Sequence, residues 1–171
     1  MDKLYIGLSG KTLLGKFWLA VSDQGLVAVE WGQTRAEFEA WLTRHFKRSV
    51  ELSPRHVRQV SDQLQEYLSG RRQAFTLVID WTVLRQFQRS VLQATCGIPF
   101  GETRTYKEIA LLVGRPRAAR AVGRAEATNP MPLVIPCHRV IGVDGKLHGY
   151  GMVEGLKTKA WLLKMEGAMI A

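Results

Sequence analysis

With 171 residues, 46% of them apolar, the chain can bury a core as one domain or two small ones, and is too apolar to be disordered. It has no run of about 18 apolar residues, which argues against a membrane-spanning helix. Its start, Met1-Asp2-Lys3-Leu4-Tyr5, lacks the basic-then-apolar order of a secretory signal, so a cytoplasmic protein is expected, or a nuclear one in a eukaryote. The net charge is +9, and six basic residues between Arg104 and Arg124 face only Glu108. A basic footprint gathered on one short stretch points toward nucleic acid.

In chain order, residues 4–8, 13–21 and 26–31 are apolar, β-branched or aromatic, and Ser22-Asp23-Gln24-Gly25 is a turn cluster. Lys16–Val21 and Leu26–Trp31 therefore read as a hairpin. Phe38, Trp41, Leu42, His45 and Phe46 recur at helical spacing, as do Val57, Val60, Leu64, Tyr67 and Leu68, with Gly70 placed to end the second helix. Ala74–Ile79 reads as a further strand. A small α+β domain over 1–80 follows, and a mainly helical domain is expected over 81–171.

In the second domain, Phe87, Val91 and Ala94 line a helix ending near Gly97-Ile98-Pro99. Thr105 is a plausible N-cap for a helix from Tyr106 to Val113. Gly114 breaks it, and Pro116 suits the first turn of the next helix. Two short helices joined by a glycine-containing turn outline a helix-turn-helix. On the second helix Arg117, Arg120 and Arg124 share one face, while Ala118, Ala119, Ala121, Gly123 and Ala125 keep it thin. A thin basic helix suits the narrow minor groove; three solvated arginines on a packed alanine face would read the same.

Ile135-Pro136-Cys137-His138-Arg139-Val140 sets a sulfur nucleophile beside an imidazole. A free thiol has a pKa of about 8.5 and is mostly protonated near neutral pH, and a neighbouring imidazole is the usual means of drawing that proton away. Taken alone, the pair is more often a structural cysteine beside a loop histidine. Cys96 and Cys137 are expected as free thiols, Cys96 as a small core residue. His45, His56, His138 and His148 lack tight metal-ligand spacing, so no metal and no cofactor are expected.

Several stretches together resemble the O6-alkylguanine-DNA alkyltransferases. They are Ile98-Pro99-Phe100-Gly101-Glu102-Thr103 with Tyr106, Arg115-Pro116-Arg117-Ala118-Ala119-Arg120-Ala121-Val122-Gly123, Asn129-Pro130-Met131-Pro132, Pro136-Cys137-His138-Arg139-Val140-Ile141, and Lys159-Ala160-Trp161-Leu162-Leu163 ending in Glu166-Gly167. The match is dense over about 85–167 and loose over 1–80. It implies a ribonuclease-H-like N-terminal domain followed by a winged-helix-like C-terminal domain that binds DNA and accepts the alkyl group. It also implies direct-reversal repair: a single, irreversible transfer of the alkyl group from O6-alkylguanine, and from O4-alkylthymine, to Cys137. His138 matches the family's base, acting through a water, Glu166 the carboxylate that orients it, and Asn129 a support of the active-site turn. Tyr106 matches the residue that rotates the nucleotide's phosphate and assists protonation of the departing guanine. Arg120 matches the finger that fills the gap left by a base flipped from the minor groove. Lys107 and Arg115 are further DNA-binding candidates, and Val140, Tyr150 and Gly151 match the base pocket. The implied partner is double-stranded DNA, bound by a monomer that can act cooperatively, with no membrane.

The chemistry is consistent with these roles. Attack at a saturated carbon needs a soft nucleophile, and lowering the thiol pKa by about two units, worth roughly 2.7 kcal/mol, would make it mostly thiolate. The target atom lies inside the stacked duplex, so the base must be extruded. The product thioether resists hydrolysis, so one turnover follows. Three positions depart from the family pattern. The run after Tyr150, Gly151-Met152-Val153-Glu154-Gly155-Leu156, is about two residues longer, while Arg124 and Glu126 stand where many relatives carry small or neutral residues, a change expected at the phosphate contacts. Alkyltransferase-like proteins that bind damage without reacting lack the cysteine that Cys137 supplies here. A Cys-His hydrolase would need an oxyanion-hole segment that is not evident.

Overall fold

The computed structural model describes residues 2–148 and 155–168, which fall into two compact units, Met1–Val83 and Leu84–Ala171. The first carries a four-stranded sheet of β1 (Leu4–Leu8), β2 (Phe17–Ser22), β3 (Gly25–Trp31) and β4 (Val50–Leu52), in the order β3-β2-β1-β4. β2 and β3 form the expected hairpin around Asp23-Gln24. Gly25 opens β3 at φ +142, and a Cβ there would lie 2.6 Å from the Val78 carbonyl oxygen, so only glycine fits. β1 runs antiparallel to β2 and parallel to β4.

Helix α1 (Arg35–Phe46) starts on a reciprocal capping box between Thr34 and Glu37 and inserts Phe38 and Leu42 against Leu4, Ile6, Ala20, Val27 and Ala28. Helix α2 (Arg58–Leu68) follows a 3-10 turn over Pro54–Val57 and buries Val60, Leu64, Tyr67 and Leu68. The strand expected at Ala74–Ile79 does not form. Its backbone is satisfied piecemeal: Leu26 N donates to Val78 O, Asp80 N to Leu26 O, and Thr76 N to the Gln63 side chain. Only an isolated bridge at Ile79 remains of a ladder. The buried Asp80 carboxylate then fixes the end of this segment, accepting from Ser22 Oγ at 2.6 Å and from the Thr82 backbone at 3.0 Å.

The second unit is mainly helical: α3 (Gln86–Cys96), α4 (Tyr106–Leu112), α5 (Ala119–Ala127) and α6 (Leu156–Met165). Val91, Ile98, Ile109, Ala110, Val122, Ala125 and Val140 form its buried core, with Phe87, Ala94 and Tyr106 packed against it. Thr105 caps α4 as expected: its hydroxyl accepts from Glu108 N at 3.0 Å, and Thr105 N donates to the Glu108 carboxylate at 2.6 Å. Gly114 ends the helix at φ +74. The next helix begins only at Ala119, so Pro116 and Arg117 lie in the turn, and the basic face on the helix reduces to Arg120 and Arg124. Cys96, expected in the core, is the exposed last residue of α3. Among the described residues no helix is long and apolar enough to cross a membrane.

Candidate active site

Two short strands bring the site together. β6 (Val140–Ile141), directly after the 3-10 turn Cys137–Arg139, pairs in parallel with β5 (Arg104–Thr105), directly before α4. Cys137 and Tyr106 each sit next to one of these strands, so the pairing places the nucleophile turn beside the first residue of the helix-turn-helix. The two, with Lys107, Arg120, Gly123, Glu126 and His148, line a cavity of about 480 Å³.

Asn129 holds the chain leading into Cys137. Its amide nitrogen donates to Ile135 O and its oxygen accepts from Met131 N, each at 2.9 Å, closing both ends of a turn in which buried Leu133 is forced to φ +74. A non-glycine residue in that region costs on the order of 1–3 kcal/mol and persists only when its surroundings impose it.

Behind the thiol lies a buried charged group. His138 Nε2 is 2.9 Å from Glu166 Oε2, and Arg139 grips the same carboxylate in a two-pronged pair at 2.8 and 2.9 Å. A third Arg139 nitrogen donates to Ile98 O at 2.7 Å, and the guanidinium lies over the Phe100 ring. The carboxylate can only accept from its arginine-bound side, so His138 gives it the Nε2 proton and keeps a lone pair on Nδ1. Burial holds the imidazole below its ordinary range, against the pull of Glu166, so it is neutral at rest.

Lys159 arranges the opposite wall. It is 1% exposed, and its ammonium donates to Val140 O at 2.7 Å and His148 O at 2.8 Å, and approaches the Tyr106 hydroxyl at 3.5 Å. Burial brings it down to about 8 while the neighbouring Cys137 and Glu126 pull it upward. Tyr106 OH donates to His148 O at 3.3 Å, and burial, with Glu126 and Cys137 nearby, pushes the phenol up to about 12, which keeps it a donor.

Glu126 is buried on the cavity wall rather than at the DNA-facing surface expected for it. Thr95 has one hydroxyl hydrogen and two oxygen neighbours, Val91 O at 2.9 Å and Glu126 Oε1. The Thr95 hydroxyl donates to Glu126 Oε1, a bond that favours the ionised carboxylate. Burial outweighs that bond and the pull of Lys159 and lifts Glu126 to about 8, so the carboxyl is mostly protonated near neutral pH. Its Oε2 has no hydrogen-bond partner among the described residues.

The thiol differs from expectation. Burial first, then Glu126, pushes Cys137 up to about 12, and the opposing influence of Asn129 and Lys159 does not offset this. At rest Cys137 is a protonated, shielded thiol and not a standing thiolate.

Of the expected site residues, Cys137, Tyr106, Lys107 and Arg120 share the cavity, His138 and Glu166 are bonded, and Asn129 supports the turn. Val140 is buried with its carbonyl engaged by Lys159. Arg115 lies exposed in the turn after α4, outside the cavity lining. Tyr150 and Gly151 lie outside the described residues. Sequence reasoning gave no role to Arg139, Lys159 or Thr95, and placed Glu126 at the phosphate contacts instead of the cavity. Helical spacing held a signal for two of them: Glu126 follows Val122 by four positions, and Lys159 precedes Leu162 and Leu163 by three and four, each on a buried face.

Comparison with known proteins agrees with this architecture. Residues 4–81 match the family model for the 6-O-methylguanine DNA methyltransferase ribonuclease-like domain, and residues 86–168 match the model for its DNA-binding domain. A methylated-DNA--protein-cysteine methyltransferase of Methanosarcina barkeri is 44% identical over 90% of this chain and 91% of its own. One from Salmonella typhimurium is 39% identical over 93% and 94%. The crystal structure of Mycobacterium tuberculosis OGT in complex with DNA superposes with a TM-score of 0.73 at 34% identity, covering 96% of this chain and 92% of that one. With both halves matched in order, the chain belongs to the 6-O-methylguanine DNA methyltransferase family.

Proposed function

We propose that the protein repairs alkylated DNA by moving the alkyl group from O6-alkylguanine, and from O4-alkylthymine, irreversibly to Cys137. The observation that carries this is Cys137 on the wall of a cavity it shares with Tyr106, Lys107 and Arg120, with the next residue, His138, bonded to Glu166, which Arg139 also holds. In this reading the C-terminal domain binds double-stranded DNA as a monomer. α5 lies along the minor groove with Arg120 filling the space of the flipped base, and Lys107 and Arg115 contact phosphate.

The buried thiol makes the nucleophile conditional. Neutral His138 has a lone pair for the Cys137 proton, relayed through a water, and Glu166, held in place by Arg139, stabilises the imidazolium that forms through its hydrogen bond and charge. The Cys137 Sγ–carbon bond forms as the carbon–O6 bond breaks, and that electron pair leaves with the guanine. Tyr106 donates a hydrogen bond to the departing base, which takes its proton from solvent, while the proton held on His138 returns to solvent, so the hydrogen lost from sulfur is balanced by one gained by guanine. The thioether stays on the protein, giving one turnover. Loss of methyl from an O6-methylguanine duplex, followed under single-turnover conditions, tests the reading. Wild type should clear the lesion and Cys137→Ser should leave it in place; demethylation by the serine variant would refute the chemistry.

A further inference from the structure

We infer that Glu126 is a specificity-determining residue of the alkyl-accepting cavity, favouring alkyl groups that end in a hydroxyl over apolar ones of the same length. The inference rests on the proposed alkyl transfer to Cys137. Glu126 reaches the cavity from the buried face of α5 and lines it together with Cys137 and Tyr106. Thr95 occupies its first oxygen, leaving the buried second oxygen, Oε2, without a partner among the described residues. A buried acceptor with no donor carries a penalty that a ligand hydroxyl can remove and a methyl group cannot.

When an alkyl carbon bonds to Cys137 Sγ as its bond to O6 breaks, atoms beyond that carbon must occupy the cavity that Glu126 walls. A 2-hydroxyethyl group can donate its hydroxyl hydrogen to Oε2. A propyl group of nearly the same size leaves Oε2 unpaired and sets a terminal methyl against a carboxyl. The carboxyl is not needed for the proton path through His138, so it is free to select among substituents.

The test compares single-turnover rates on duplexes carrying O6-(2-hydroxyethyl)guanine and O6-propylguanine, read as a ratio so that any shared loss of activity cancels. One net hydrogen bond predicts that Glu126→Leu lowers the hydroxyethyl-to-propyl ratio by about three- to tenfold. Glu126→Gln, whose amide oxygen can accept from Thr95 while its NH2 donates to the ligand hydroxyl oxygen, should retain the ratio. An unchanged ratio in Glu126→Leu, with alkyl still arriving on Cys137, overturns the inference and leaves alkyl transfer standing; no methyl transfer by wild type overturns both. Should the leucine variant not fold, a crystal structure of wild type alkylated with the hydroxyethyl group decides. The hydroxyl within hydrogen-bond distance of Glu126 supports the inference, and the hydroxyl turned away rejects it.

Discussion

Replacing Glu126 with glutamine separates the cost of keeping a carboxyl neutral from the value of its hydrogen bonds. In the unfolded chain this group ionises near its ordinary 4.5, whereas burial lifts it to about 8 in the folded protein. Between those values unfolding releases a proton, so the Glu126 contribution to stability is full below 4.5 and is lost as pH rises toward 8. At about 1.4 kcal/mol per pH unit, the loss between about pH 5 and about pH 7.5 is roughly 3 kcal/mol. Glutamine does not titrate and can keep the Thr95 bond. Groups common to both proteins, such as His138, cancel in the difference. Urea denaturation followed by circular dichroism, extrapolated linearly at each pH, reads that difference. We expect the glutamine variant to gain about 3 kcal/mol on wild type across this interval. A gap that stays constant with pH would refute a Glu126 lifted by burial.

Three further outcomes follow from the same geometry. Arg139→Met removes both bonds to Glu166 and leaves that carboxylate buried without its guanidinium and beside a neutral His138, so it should destabilise the protein by about 3–5 kcal/mol; a melting temperature close to wild type would contradict this. Asn129→Ala frees Ile135 O and Met131 N from their side-chain partner, which should cost about 1–3 kcal/mol and slow methyl transfer from DNA. Normal transfer kinetics in that variant would remove Asn129 from the support of the turn. Arg120→Ala should slow repair of duplex far more than reaction with free O6-benzylguanine, because only the duplex must be opened. Equal losses on both substrates would reject the finger role.

The fold was legible where the pattern is long or the punctuation strong. The hairpin announced itself through Ser22-Asp23-Gln24-Gly25, and α1, α2 and α3 through apolar spacing. Thr105 and Gly114 marked the two ends of α4. Ala74–Ile79 misled because its strand-like composition is tied down by Gln63, Leu26 and Asp80 instead of a neighbouring strand. β5 and β6, two residues each, are too short to show periodicity, yet their pairing aligns Cys137 with Tyr106. In the site, motifs carried Cys137, His138 and Glu166. They could not carry the protonation states, which depend on burial by residues distant in the chain: burial lifts Glu126 against the Thr95 hydrogen bond, and Cys137 is held as a thiol by its surroundings. The departure from the family pattern placed Glu126 at the phosphate contacts, whereas its register with Val122 turns it inward.

The central claim is that Cys137 takes the alkyl group and keeps it. Mass spectrometry of the protein after incubation with excess duplex bearing O6-methylguanine tests this most directly. The account predicts one added methyl per molecule, in place of the thiol hydrogen, on the peptide containing Cys137, and no further repair by the modified protein. Unmodified Cys137 alongside repaired DNA, or continued turnover after modification, would contradict it.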